Sequence, residues 1–177
     1  VALESGLIFR MDGKTGNRQR RIHIRRIIGN AGIISMMEKD DELWVGTSSG
    51  LVVYSLTSGT FDNQTGVDEK PYTLSGHTVR EIYEDREGNV WVGTANGGLR
   101  VWMSYGGNFS RFITKGDGKP LAGTSIRAIC ADDKGYIWTG SEEGLVSRYN
   151  PSNGEFVDFS DKTGIDFGTV ITTIKYI

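Results

Sequence analysis

Leu43-Trp44-Val45-Gly46-Thr47-Ser48-Ser49-Gly50-Leu51 returns as Val90-Trp91-Val92-Gly93-Thr94-Ala95-Asn96-Gly97-Gly98-Leu99, and again as Ile137-Trp138-Thr139-Gly140-Ser141-Glu142-Glu143-Gly144-Leu145. The tryptophans are 47 residues apart in both intervals, and each is followed by a glycine at two residues and another at six. A fixed period of this length marks a stacked repeat, whose units each leave an apolar face for a neighbour to cover. Upstream of each tryptophan an alternating apolar stretch ends in an acidic turn: Ile34 to Asp41, Val79 to Gly88 and Ile126 to Gly135. Val79, Glu81 and Tyr83 alternate with Arg80, Ile82 and Glu84, which is the period of a strand. Downstream, Leu51 to Leu56, Leu99 to Met103 and Leu145 to Tyr149 supply a third strand. Turns closing on Gly59, Gly107 and Gly154 lead to a fourth, beginning at Phe61, Phe109 and Phe156.

Four short antiparallel strands in 40 to 50 residues make one propeller blade. The expected fold is all-β, a β-propeller arc of about four blade-equivalents forming a single unit over 1–177. Its pieces are 1–30 (partial), 31–77, 78–124, 125–168 and a lone first strand at 169–177. Val1 to Leu7 falls where Val45 to Leu51 falls, inside a second strand. Val170 to Ile177 reads as a first strand, with Ile171 and Ile174 standing for Val79 and Ile82. The chain is therefore expected to be an excised or processed piece and an open arc. Another copy of the chain, or further blades, would cover its end faces, because the ends of repeat stacks need caps.

Composition agrees with many tight turns between short strands. Glycine accounts for 25 of 177 residues, with only 3 prolines, about twice the usual share. Twenty basic against 22 acidic side chains leave a net charge of −2, which gives no reason to expect a nucleic-acid partner. No apolar run reaches the length that spans a bilayer. One cysteine, Cys130, excludes an internal disulfide. It lies on a first-type strand and is expected to be an inert core thiol.

The pattern of acidic turn with glycine, Trp-apolar-Gly-Thr, x-x-Gly-Leu and Asn-Pro-x-x-Gly-x-Phe resembles the two-component regulator propeller repeat. Glu84-Asp85-Arg86-Glu87-Gly88-Asn89-Val90-Trp91-Val92-Gly93-Thr94 and Tyr149-Asn150-Pro151-Ser152-Asn153-Gly154-Glu155-Phe156 carry that resemblance best. It implies part of the periplasmic sensor region of a hybrid two-component histidine kinase of the Bacteroides type. Two seven-bladed propellers would there precede an immunoglobulin-like domain, a membrane helix and the kinase. It also implies glycan breakdown products as inputs, with no cofactor and no catalysis by this segment. A propeller scaffold for protein contacts, like WD-repeat proteins, is the alternative, and a streptogramin-lyase-like enzyme is a remote one.

Several local motifs are better explained by turns and edges. Gly46-Thr47-Ser48-Ser49-Gly50 spells a nucleophile elbow, but that elbow needs a strand-to-helix turn, and strands flank this one. Gly13-Lys14-Thr15 and Gly118-Lys119 have Ile8 and Ile113 where a phosphate loop requires its first glycine. His23 and His77, without a second histidine at ligand spacing, do not make a zinc site. Asp132-Asp133-Lys134-Gly135 lacks the alternating spacing of a calcium loop. Arg18, Arg20, Arg21, Arg25 and Arg26 read as the charged outer edge of a blade, with Arg21, His23 and Arg25 facing opposite to Ile22 and Ile24. Trp44, Trp91 and Trp138, with Gly46, Gly50, Gly93, Gly97, Gly140 and Gly144, recur in register and are expected to be structural.

Unrepeated residues are the functional candidates, because the scaffold does not need them. The turns from second to third strand and the connectors between blades share one face. They place Ser48, Tyr72, His77, Asn96, Lys119, Glu142, Glu143 and Phe167 there. Of these, Tyr72, His77, Asn96, Lys119, Glu142 and Glu143 are the expected ligand-binding residues. An oligosaccharide would stack on the aromatic ring and hydrogen-bond to the amide and carboxylates.

Overall fold

The computed structural model describes residues 2–3, 6–62, 74, 76–104, 109–112, 123–159 and 167–176. The first unit is β1 (Ala2–Leu3), β2 (Leu7–Met11) and β3 (Arg18–His23), a three-stranded antiparallel sheet followed by the single turn α1 (Arg25–Ile28). The second is β4 (Ile33–Lys39), β5 (Glu42–Thr47), β6 (Gly50–Ser55) and β7 (Phe61–Asp62). The third is β8 (Val79–Glu84), β9 (Val90–Thr94), β10 (Gly98–Trp102) and β11 (Phe109–Phe112). The fourth is β12 (Ile126–Ala131), β13 (Ile137–Ser141), β14 (Val146–Tyr149) and β15 (Phe156–Asp158). In each four-stranded unit the strands pair in chain order and antiparallel, so each unit is one up-and-down blade. The first strands β4, β8 and β12 pack beside one another and form the inner side of the arc.

The apolar core lies between the sheets. Ile8, Ile22, Ile24 and Ile28 from the first unit meet Val45, Val52, Tyr54 and Leu56 of the second. Trp44, Leu51 and Val53 on the opposite face of that second sheet meet Val79, Ile82, Val90 and Val92. Trp91, Leu99 and Val101 then meet Ile126, Ile129 and Ile137. Neighbouring residues such as Trp44 and Val45 thus enter different cores, which follows from the two-residue period of a strand with both faces covered. The glycine two residues after each tryptophan sets the sheet spacing. A Cβ built on Gly46 would stand 2.6 Å from Val79 Cγ1, and one on Gly93 would stand 2.9 Å from Ile126 Cγ2.

The acidic turns hold the tryptophans. Asp85 Oδ1 accepts from the amides of Glu87 and Asn89, while Oδ2 accepts from Trp91 Nε1 at 2.7 Å. Asp132 repeats this with the amides of Lys134 and Tyr136 and with Trp138 Nε1 at 2.8 Å. In the shorter turn of the second unit, Glu42 Oε2 accepts a hydrogen bond from Trp44 Nε1. Burial pushes the Asp132 carboxyl up, but the bonds from Trp138, Tyr136 and Lys134 outweigh it and hold the group below its ordinary value. A carboxylate depressed in the fold adds stability that is complete above its unfolded pKa of about 4 and disappears as pH falls through the lower folded value. The stability gap between wild type and Asp132→Asn should therefore narrow as pH falls below about 4. Urea midpoints measured from pH 7 to pH 2 check this, and two parallel curves would contradict it.

Two expectations need correction. Residues 170–176 form no strand, although Ile171 and Ile174 occupy the place of a first strand. Ile171 Cγ2 lies 2.3 Å from a Cβ built on Gly140, as Val79 lies against Gly46 and Ile126 against Gly93. A strand is defined by a hydrogen-bonded neighbour, and the expected one, β1, pairs with β2 and not with this segment. The apolar docking is present and the ladder is not. Arg25 also leaves the edge strand: β3 stops at His23, and Arg25 opens α1, while Arg21 and His23 stay outward and Ile22 and Ile24 inward as expected.

Candidate functional site

The second-to-third strand turns and the lead-ins to the first strands interlock on one face of the arc. The Ser48 amide donates to Gly32 O, and the Gly32 amide to Ser48 Oγ. In the next blade the Ala95 amide donates to Thr78 O, and in the fourth the Glu142 amide donates to Ser125 O. Each turn also grips the blade that follows, through Gly76 N to Ser49 O, Gly98 N to Thr124 O, and Ile171 N to Ser141 O. The face is therefore a continuous hydrogen-bonded strip, and side chains on it are carried by well-fixed backbone.

Asn96 is exposed in the β9–β10 turn with φ of 61°. Asparagine tolerates this left-handed conformation better than most residues, so the turn itself accounts for part of its presence. His77 lies against the same turn, its Nδ1 2.9 Å from a Cβ built on Gly97. Glu142 and Glu143 follow on the β13–β14 turn. Glu143 Oε1 accepts from the amide and hydroxyl of Thr124, which ties it to its own lead-in. Glu142 Oε2 accepts from Ser125 Oγ at 2.7 Å, and Oε1 from Arg127 Nη2. The Arg127 guanidinium, then the Ser125 hydroxyl and more distantly the charge of Arg80, hold the Glu142 carboxyl below its usual range. Ser48 has its oxygens engaged by Gly32 and Thr78, and Phe167 is exposed. Tyr72 and Lys119 lie outside the described residues.

The structure thus brings His77 together with the Asn96 turn, and Glu142 and Glu143 onto the neighbouring turn. Arg80 and Arg127 join the strip without having been expected there. They sit 47 residues apart and so read as part of the repeat. Among the described residues no three histidine, cysteine, aspartate or glutamate side chains gather to hold a metal ion. Burial, and then the charge of Asp132, push the Cys130 thiol up, which keeps it protonated and unreactive at neutral pH.

Four antiparallel units stacked face to face, with the first strands of the three four-stranded ones side by side on the inner edge, define a β-propeller arc. Residues 73–96 and 120–143 match the family described as "Two component regulator propeller". It is similar in fold to the extracellular domain of BT4673 of B. thetaiotaomicron, named as a hybrid two component system. The TM-score is 0.68 at 20% identity, over 98% of this chain and 24% of that one. The extracellular domain of BT3049, named as a hybrid two component system of the same organism, gives a TM-score of 0.62 at 22% identity, over 89% and 21%. The WD40 repeats of RRP9 give 0.65 at 13% identity, over 89% and 46%. The chain spans about a fifth to a quarter of the length of the two B. thetaiotaomicron domains. No curated protein matches the sequence. Among the described residues no helix is long and apolar enough to cross a membrane.

Proposed function

We infer that the chain is part of the ligand-sensing region of a hybrid two-component sensor histidine kinase. That region faces the periplasm and responds to saccharides released by glycan breakdown. The observation that carries this reading is the pair of regulator-propeller repeats, 47 residues apart, on the two blades that bear the polar turn face. That face offers what saccharide recognition uses: an amide at Asn96, an imidazole at His77, and carboxylates at Glu142 and Glu143; Tyr72 and Lys119 are candidates from the sequence alone. The segment binds and does not catalyse. A ligand would act by favouring one of two arrangements of the receptor, and so one state of the kinase.

The test is calorimetry on the complete sensor region against a glycan panel, repeated with Tyr72→Ala and Asn96→Gly. Glycine keeps the left-handed turn and removes only the amide. A loss of about tenfold in affinity in either variant is expected, the scale of one or two good hydrogen bonds. Binding that neither variant weakens would move the site off this face. Absence of any saccharide binding would favour the protein-contact scaffold, for which the likeness to the RRP9 repeats offers a precedent in fold alone.

A further inference from the structure

The inner strands break register at one equivalent place in three blades: between Ile33 and Ser35, between Val79 and Glu81, and between Ile126 and Ala128. A bulge leaves its extra residue out of the ladder and re-aims the side chain. The residues so released are Ile34, Arg80 and Arg127. Their predecessors Val79 and Ile126 enter the interblade cores against Gly46 and Gly93. The released side chains instead serve the turn face. Arg127 reaches the Glu142 turn directly, and Arg80 leaves the equivalent bulge of β8, the strand packed beside β12.

Glu142 and Glu143 balance the two arginines by count, but neither carboxylate pairs with Arg80 directly. Glu142 spends one oxygen on Arg127 and the other on Ser125, all within the fourth blade. Among the described residues Arg80 enters no ion pair. The Nε atoms of both arginines are buried without hydrogen-bond partners. A buried donor left unsatisfied is costly, and in a native fold it calls for a specific explanation such as a bound group. A guanidinium is also the side chain best matched to two oxygens of one anion. The arrangement is confined to the third and fourth blades, since the second carries Ile34, 40% exposed, at the equivalent bulge.

We propose that Arg80, flanked by the Arg127–Glu142 pair, is the anion-reading element of the turn face and takes the carboxylate or sulfate of an acidic saccharide. Arg80 supplies the guanidinium that no carboxylate among the described residues holds. Glu142 holds Arg127 in place and repels anions from its own side, so the ligand's oxyanion sits toward the third blade, between Arg80 and the Asn96 turn. The choice of a saccharide as carrier rests on the sensing reading above; the anion site does not.

Thermal shift and calorimetry on the full protein, with sodium sulfate, glucuronate and neutral glucose as probes, test the proposal. Sulfate and glucuronate are expected to stabilise the wild type, and glucose is not. Arg80→Gln should weaken both anions about tenfold, the loss of one charged bidentate contact. Arg80→Lys should recover part of this, and Arg18→Gln, a charge change on the outer edge, should leave it intact. Stronger binding of sulfate than of glucuronate, or the reverse, identifies the natural oxyanion. Equal anion affinity in wild type and Arg80→Gln, or an equal loss in Arg18→Gln, overturns the proposal. A neutral oligosaccharide whose binding ignores Arg80→Gln also overturns it while leaving the sensing reading in place. Anion binding through Arg80 without any saccharide response keeps the site and removes the sensing reading.

Discussion

Trp91→Ala is expected to lower the stability of the chain by about 3 to 5 kcal/mol, the range for truncating a fully buried large aromatic. Trp91 is 2% exposed and packs between the third and fourth blades, its ring 5.6 Å from that of Tyr149. Its Nε1 proton also closes the Asp85 turn, so truncation opens a cavity and removes one of the donors around a buried carboxylate. Trp138, at the equivalent position of the next repeat, provides an internal control. It keeps the Asp132 bond and rests on Phe159 at 4.8 Å, but it is only half-buried, since among the described residues no further sheet packs on that face of the fourth. Trp138→Ala should therefore cost clearly less than Trp91→Ala. Urea unfolding of both variants measures the difference, and equal losses would mean that burial between blades is not what the repeated tryptophan provides.

That asymmetry marks how far the sequence could be read. The period of 47 and the strand alternation mark the three four-stranded sheets, because residues such as Trp44 and Val45 must enter separate cores and no helix satisfies that pattern. The last segment escapes the same reading for a physical reason. Ile171 and Ile174 have the right side chains to dock on Gly140, but strand formation depends on a hydrogen-bonded neighbour that side-chain pattern does not encode. The turn face was legible as a place, since hairpin turns and connectors of an up-and-down blade alternate between its two ends. Its chemistry was only half legible. Glu142 stands out as unrepeated, whereas Arg80 and Arg127 keep the repeat and look like ordinary strand residues. A single-residue bulge moves them from the alternation to the face, and nothing in the composition of Val79-Arg80-Glu81 announces it. Asn96 shows the converse, since a residue chosen for its amide also fits the backbone of its turn.

Gly93→Ala is expected to cost about 1 to 3 kcal/mol, the range for overpacking a filled core, and more than Gly140→Ala does. The bare distances argue the other way. A Cβ on Gly93 would meet Ile126 Cγ2 at 2.9 Å and Ile126 O at 3.1 Å, while one on Gly140 would meet Ile171 Cγ2 at 2.3 Å. What decides is whether the neighbour can yield. Ile126 is fully buried, and its strand is hydrogen-bonded along β13, so its β-branched side chain and its carbonyl can retreat only if the fourth blade shifts as a whole. Ile171 sits in a segment that forms no strand; its amide donates to Ser141 O, and Tyr176 further along reaches Cys130 and Asp133, so the segment is tied at points rather than along a ladder and Ile171 can lift off locally. Gly140→Ala should accordingly release the last ten residues to faster amide exchange with little change in the unfolding midpoint, whereas Gly93→Ala should move the midpoint of the whole arc. Combining Gly93→Ala with Ile126→Ala, which removes the clashing methyl, should cost less than the sum of the two single changes by more than about 0.5 kcal/mol. A strictly additive pair, or a larger midpoint shift for Gly140→Ala, would show that the glycine two residues after each tryptophan does not set the distance between blades.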